Sequence, residues 1–178
     1  MKFIKQNKVA VLSIGAIIIC FAFFAIPGFA HYGLNGGVPG GFEHFLNGYQ
    51  FFFNTEVTNP ATKTPLGSGI VGSGVAVIVL LGLALISFIF SRKSSFFVML
   101  GGVLSFVSSI LFFCMEPAGR KVYKVYENNS VCGWVTYVLA VLMLAVAAYA
   151  IYTSIKMMKE EIKHPAKAQG PSYSYLKK

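Results

Sequence analysis

Residues that could do chemistry are few in this chain, and they are scattered. The principal candidates are Cys20, Cys114 and Cys132, His31 and His44, and the glutamates Glu43, Glu56, Glu116, Glu127, Glu160 and Glu161; aspartate is absent. Thiol–disulfide exchange needs two close cysteines, typically Cys-x-x-Cys, and no two cysteines here have that spacing. Cys114 and Cys132 are the pair placed for a disulfide, one at the end of an apolar run and the other at the start of the next. Two separate thiols are the competing reading. His31, Glu43, His44 and Glu56 fall in one segment, but their spacing matches neither a zinc nor a calcium site. The serines inside the apolar runs have no His or Asp nearby to activate them. No enzyme, metal or cofactor is expected from this inventory.

The elements that must position these residues are uncharged runs. They extend over 9–26, 64–91, 94–115 and 128–155. A helix crosses the bilayer's hydrocarbon core with about 20 apolar residues. Hydrophobic residues make up 56% of the chain and charged ones 12%, against about 25% charged in soluble domains. The expected fold is an all-α integral membrane protein, a single antiparallel bundle of four transmembrane helices. The helices are placed at 8–26, 67–90, 95–115 and 132–155. The connections are a long outer loop (27–66), a tight inner turn (91–94), a second outer loop (116–131) and a basic tail (156–178). The first run exceeds the ~7–15 apolar residues of a signal peptide, so it is expected to remain as a helix.

Charge gives the orientation. The net charge is +9. Lys2, Lys5, Lys8, Arg92, Lys93, Lys156, Lys159, Lys163, Lys167, Lys177 and Lys178 fall on one side of a four-span layout, and Lys63, Arg120, Lys121 and Lys124 on the other. The positive-inside bias then puts both termini in the cytoplasm of a cell-membrane protein. Lys156, Lys159, Lys163 and Lys167 are candidates for contact with the anionic inner leaflet, at about 1 kcal/mol each. The basic excess therefore points to lipid rather than nucleic acid. No Asp, Glu, His, Lys or Arg lies inside the four runs, which disfavours an ion relay.

The first outer loop holds the candidate recognition surface. Phe42, Phe45, Leu46, Tyr49 and Phe53 share one face at helical spacing, while 51–58 also has strand-forming composition. Helix and strand both remain open there. Phe42, Phe45, Leu46, Tyr49, Phe52 and Phe53 are the partner-binding candidates, because so many rings need lipid, the bundle or a partner to cover them. Small residues recur every four positions at Ser68, Gly72 and Ala76, and at Gly101, Ser105 and Ser109. Such spacing lets helix backbones approach, within one chain or between copies.

The layout resembles that of claudin-type tetraspans. Gly69-Ile70-Val71-Gly72, Gly101-Gly102-Val103-Leu104 and Gly133-Trp134-Val135 are similar to helix-opening and mid-helix strings of that family. The family's first outer loop carries a Trp…Gly-Leu-Trp…Cys…Cys pattern, whereas 27–66 has neither Trp nor Cys. The resemblance therefore implies architecture and carries no functional residue. The expected function is contact with another membrane protein or with a second copy, as an accessory or scaffold subunit. An oligomeric channel or small-solute transporter is the alternative.

Overall fold

Long uncharged stretches rich in Leu, Ile, Val, Ala and Phe form helices because an apolar environment leaves backbone groups no other partner. A computed structural model of the protein describes residues 2–27, 29–33, 43–53, 57–58, 65–67, 70–91, 94–123 and 132–163. Four long helices dominate it: α1 (Lys2–Phe24), α3 (Gly72–Phe90), α4 (Ser95–Phe113) and α6 (Trp134–Lys163). Between them lie β1 (Ala30–Gly33), β2 (Glu43–Leu46), α2 (Gly48–Phe52), β3 (Val57–Thr58), β4 (Pro65–Gly67) and α5 (Met115–Tyr123). Three of the long helices, α3, α4 and α6, are long and apolar enough to cross a membrane; the apolar section of α1, Lys8–Phe24, is shorter.

The outward faces agree with a lipid solvent. Val79, Leu83 and Ile86 on α3, Phe106 and Ile110 on α4, and Val141 on α6 are all exposed. A water-soluble bundle would turn such residues inward.

The helix directions follow from the contacts. Gly101 of α4 faces the Phe88 ring of α3 across their short connection. Gly102 faces Ala150 and Ile151 of α6, while Ser109 Oγ donates to Ala140 O at 2.8 Å. Thus α4 runs antiparallel to both neighbours. α1 packs against α6 and α3, and its last turn sets Phe24 beside Phe112 near the end of α4. The described parts of 25–70 and of 114–133 consequently gather at one end of the bundle, called the cap end below.

Several expected boundaries need correction. The second helix starts at Gly72 rather than residue 67, because Pro65–Gly67 pairs with Val57–Thr58 as an antiparallel ladder and Ile70 bridges Phe53. The second connection is not all loop: α5 occupies its first part. Met115, Ala118 and Val122 form its inward face, Glu116 and Arg120 pair at i,i+4, and Pro117 sits in the first turn, where its missing N–H costs nothing. The segment expected as either helix or strand is both in turn, a strand at Glu43–Leu46 and a short helix at Gly48–Phe52. The all-helical expectation therefore holds for the bundle but not for these short ladders. Ser94 caps α4 by accepting from Phe96 N at 3.2 Å, and α6 extends as far as Lys163.

The glycines that matter for packing are not all those expected. Gly72 is exposed, and a Cβ there would meet nothing within 4 Å. A Cβ on Gly74 would collide with the fully buried Phe52 ring. Ser68 lies outside the described residues, and Ala76 is half-buried. On α4, Gly101, Ser105 and Ser109 are all buried. Gly74→Ala should therefore cost about 1–3 kcal/mol through overpacking, while Gly72→Ala should be neutral or slightly stabilising at an open helical position. Thermal unfolding of the two variants in mild detergent checks this; equal midpoints would contradict the packing.

Candidate functional site

The cap end is built around one aromatic ring. Phe24, in the last turn of α1, meets Phe52 at 5.2 Å, Phe29 at 5.5 Å, Phe21 at 5.8 Å and Tyr49 at 6.0 Å between centroids, all nearly edge-to-face. Phe29 also contacts Phe51 and Phe52. Edge-to-face pairs add about 0.5–1.5 kcal/mol each beyond area burial. Phe24, Phe29, Phe51, Phe52 and Leu46 are fully or almost fully buried.

Local sequence explains how α2 reaches this position. Asn47 Oδ1 accepts from Gln50 N at 2.8 Å and Gln50 Oε1 accepts from Asn47 N at 3.1 Å, a reciprocal capping box. Gly48 then lies so close to α1 that a Cβ would stand 3.0 Å from Phe24 Cα. Tyr49 Oη donates to Phe21 O at 3.3 Å, a carbonyl in the last turn of α1, where helix acceptors run out of intrahelical donors.

A polar tie joins the other two helix ends. Glu116 Oε1 accepts from Arg120 Nε at 2.7 Å, and Glu116 Oε2 accepts from Cys132 N at 2.6 Å. Phe29 O accepts from Gly133 N at 2.9 Å and from Thr136 Oγ1 at 3.3 Å. Ala30 bridges Cys132. Residues 29–30, 116–120 and 132–136 are thereby fastened together.

The candidates from sequence separate on this frame. Leu46 and Phe52, expected as partner-binding, are core residues that fill the cap's interior. Tyr49 and Phe53 keep exposed surface; the side chains of Phe42 and Phe45 lie outside the described residues. Cys114 is exposed, Cys132 is buried, and no disulfide joins them. The β1–β2 register sets His31 opposite Phe45 and His44 opposite Tyr32, so the two histidines are not directly paired. Glu56 lies outside the described residues, and among those described no cluster of three His, Cys, Asp or Glu side chains could hold a metal. Lys156 and Lys159 are exposed on the last turns of α6; the Lys163 side chain and Lys167 lie outside the described residues. Sequence reading missed Phe24, Phe29 and Gly74, and it gave Glu116 no partner. For Glu116 a signal was present, a carboxylate at a run's edge with Arg four residues on.

Burial, with the Glu116 charge second, pushes the Cys132 thiol above its ordinary value. Ionising it therefore costs more in the folded chain than in the unfolded one, so stability should fall as pH rises past the free-cysteine value of about 8.5. With Cys132 as the sole cysteine, N-ethylmaleimide at that pH should modify the denatured chain at least tenfold faster than the folded one. Separately, Glu116→Ala leaves the Cys132 N–H without its acceptor and should cost about 1–3 kcal/mol, with faster hydrogen exchange at Cys132. Unchanged exchange there would exclude the tie. Compared with family models, curated proteins and solved structures, the chain matches none.

Proposed function

We propose that this chain is a non-enzymatic membrane protein that works by contact, as an accessory or scaffold subunit of a membrane complex. In this reading α1 is a fourth span, both termini are cytoplasmic and the cap faces outward, as the lysine and arginine distribution favours. The basic end of α6, with Lys156 and Lys159, then rests at the anionic inner leaflet. The observation that carries the proposal is the cap. The described residues 29–30 and 46–52 are drawn onto the bundle end by a buried aromatic core, which supports a fixed platform there.

With Leu46 and Phe52 buried, the candidates that remain for recognition are Tyr49, exposed on the cap, and the Gly-rich 34–42, which lies outside the described residues. The competing reading, an oligomeric pore, requires a polar face turned outward. The outward residues named on α3, α4 and α6 are aliphatic or aromatic, which favours lipid or hydrophobic contact instead.

Deleting Phe42–Phe53 would remove core residues and test little beyond folding. The strand register offers a better change, because Gly33 stands opposite Glu43. Replacing 34–42 with a short Asn-Gly-type turn closes the same hairpin. The shortened chain should keep its unfolding midpoint yet lose its partner in a mild-detergent pull-down read by mass spectrometry. Retention of every partner would end the contact proposal at this loop.

A further inference from the structure

α3 has 19 residues, which gives about 28 Å of helix at ~1.5 Å per residue, close to the ~30 Å hydrocarbon thickness. Its exposed side chains from Val79 to Phe90 are apolar, the half-buried Val75, Ala76 and Ile78 continue that composition toward the cap, and its length matches the crossing. Residues just before Gly72 must then lie at the membrane boundary on the cap side. Ile70 is there, 60% exposed, and its bridge partner Phe53 is 53% exposed. Bridge partners in an antiparallel pair carry their side chains on the same side, so the two form one apolar patch. The other helix ends show the same feature at the cap end: Ile26 after α1, Phe113 closing α4 and Trp134 opening α6 are all exposed. Phe113 and Tyr137 join across α4 and α6 with ring centroids 6.4 Å apart.

We propose that Phe53 and Ile70 form a lipid anchor that seats the cap in the interface of the cap-side leaflet, completing a belt with Ile26, Phe113 and Trp134. The occupant is lipid because the patch continues the exposed apolar surface of α3 at the depth its length dictates. Apolar side chains such as Phe bury about 5–10 Å into the headgroup–acyl boundary, and Trp134 and Tyr137 add the amphipathic rings that sit at headgroup level. Phe53 is thereby assigned to lipid rather than to a protein partner. The proposal rests on the membrane reading above, and it adds that the cap lies partly in the bilayer rather than standing clear of it.

The single tryptophan makes the test direct. Full-length protein is reconstituted in phosphatidylcholine vesicles, with and without lipid brominated at shallow acyl positions. In a Trp134→Phe background, Phe53→Trp and, as a second variant, Ile70→Trp are compared with the native Trp134 protein. The expected result is blue-shifted emission at both positions, with several-fold stronger quenching by shallow brominated lipid than by aqueous iodide. Red-shifted emission quenched by iodide, and unaffected by brominated lipid, would overturn the anchor. Shielding from both quenchers would also overturn it, in favour of a second copy covering the patch. Native Trp134 separates the two levels of inference. If it is quenched by lipid while positions 53 and 70 are not, the anchor alone fails; if it too escapes lipid quenching, the membrane placement fails as well.

Discussion

Phe24 is the constraint on which the cap end depends. Its ring closes the last turn of α1 and is touched from several sides by Phe21, Phe29, Tyr49 and Phe52, with Phe112 of α4 beneath. Within a bilayer, helices gain little from hydrophobic attraction to one another, since lipid is equally apolar. At the cap end the conditions differ. There the helices long and apolar enough to cross a membrane end, and rings buried away from water beyond them contribute about 25 cal/mol per Å². The aromatic cluster sits where that driving force returns, and it organises α1, α2, α3 and α4 together.

Deeper in the bundle the chain relies on close approach and local hydrogen bonding. Gly101 and Gly102 are consecutive and so point in different directions: one admits Phe88 of α3, the other Ile151 and Ala150 of α6. α4 can therefore lie tightly between two neighbours. The buried hydroxyls of Ser87, Ser105 and Ser108 solve their polarity within their own helix by donating to carbonyls four residues back, while those of Ser13, Ser91 and Ser154 make no hydrogen bond among the described residues. Ser109 is different, donating across to Ala140. A single interhelical bond of this kind contributes about 0.6 kcal/mol on average, so shape rather than polarity holds the pair.

Legibility from sequence followed the physics of each region. The runs that became α3, α4 and α6 were plain because their solvent is uniform: every residue of a span must tolerate lipid or a neighbouring helix, so composition alone reveals them. The glycine positions were less plain. Gly72 and Gly74 are equally small, and only the fold shows that Phe52 arrives over one and not the other. The cap was hardest. Phe42, Phe45, Leu46, Tyr49 and Phe53 do fit one helical face, yet the pattern breaks at Asn47, whose side chain closes a capping box and starts a new element. The strand before it is specified by a partner far along the connection, with Ala30 opposite Leu46. Periodicity cannot report a pairing that depends on two separated segments.

The polar tie at Glu116 explains why the cap end should behave as one piece. Its carboxylate is largely buried, with 14% of the side chain exposed, and the Arg120 partner keeps 33%. The carboxylate accepts from the neighbouring guanidinium and from the Cys132 backbone, which commits both oxygens. Moving α5 away from the start of α6 would strip the Cys132 bond, while the Arg120 pair travels with α5. A buried backbone N–H that loses such an acceptor costs about 1–3 kcal/mol. The same start of α6 is fastened to Phe29, and Phe29 belongs to the aromatic cluster. A disturbance at either site must therefore be felt at the other, through one residue of backbone. That coupling suits a surface that presents a fixed shape, and it argues against a hinge between the cap and the helices that carry it.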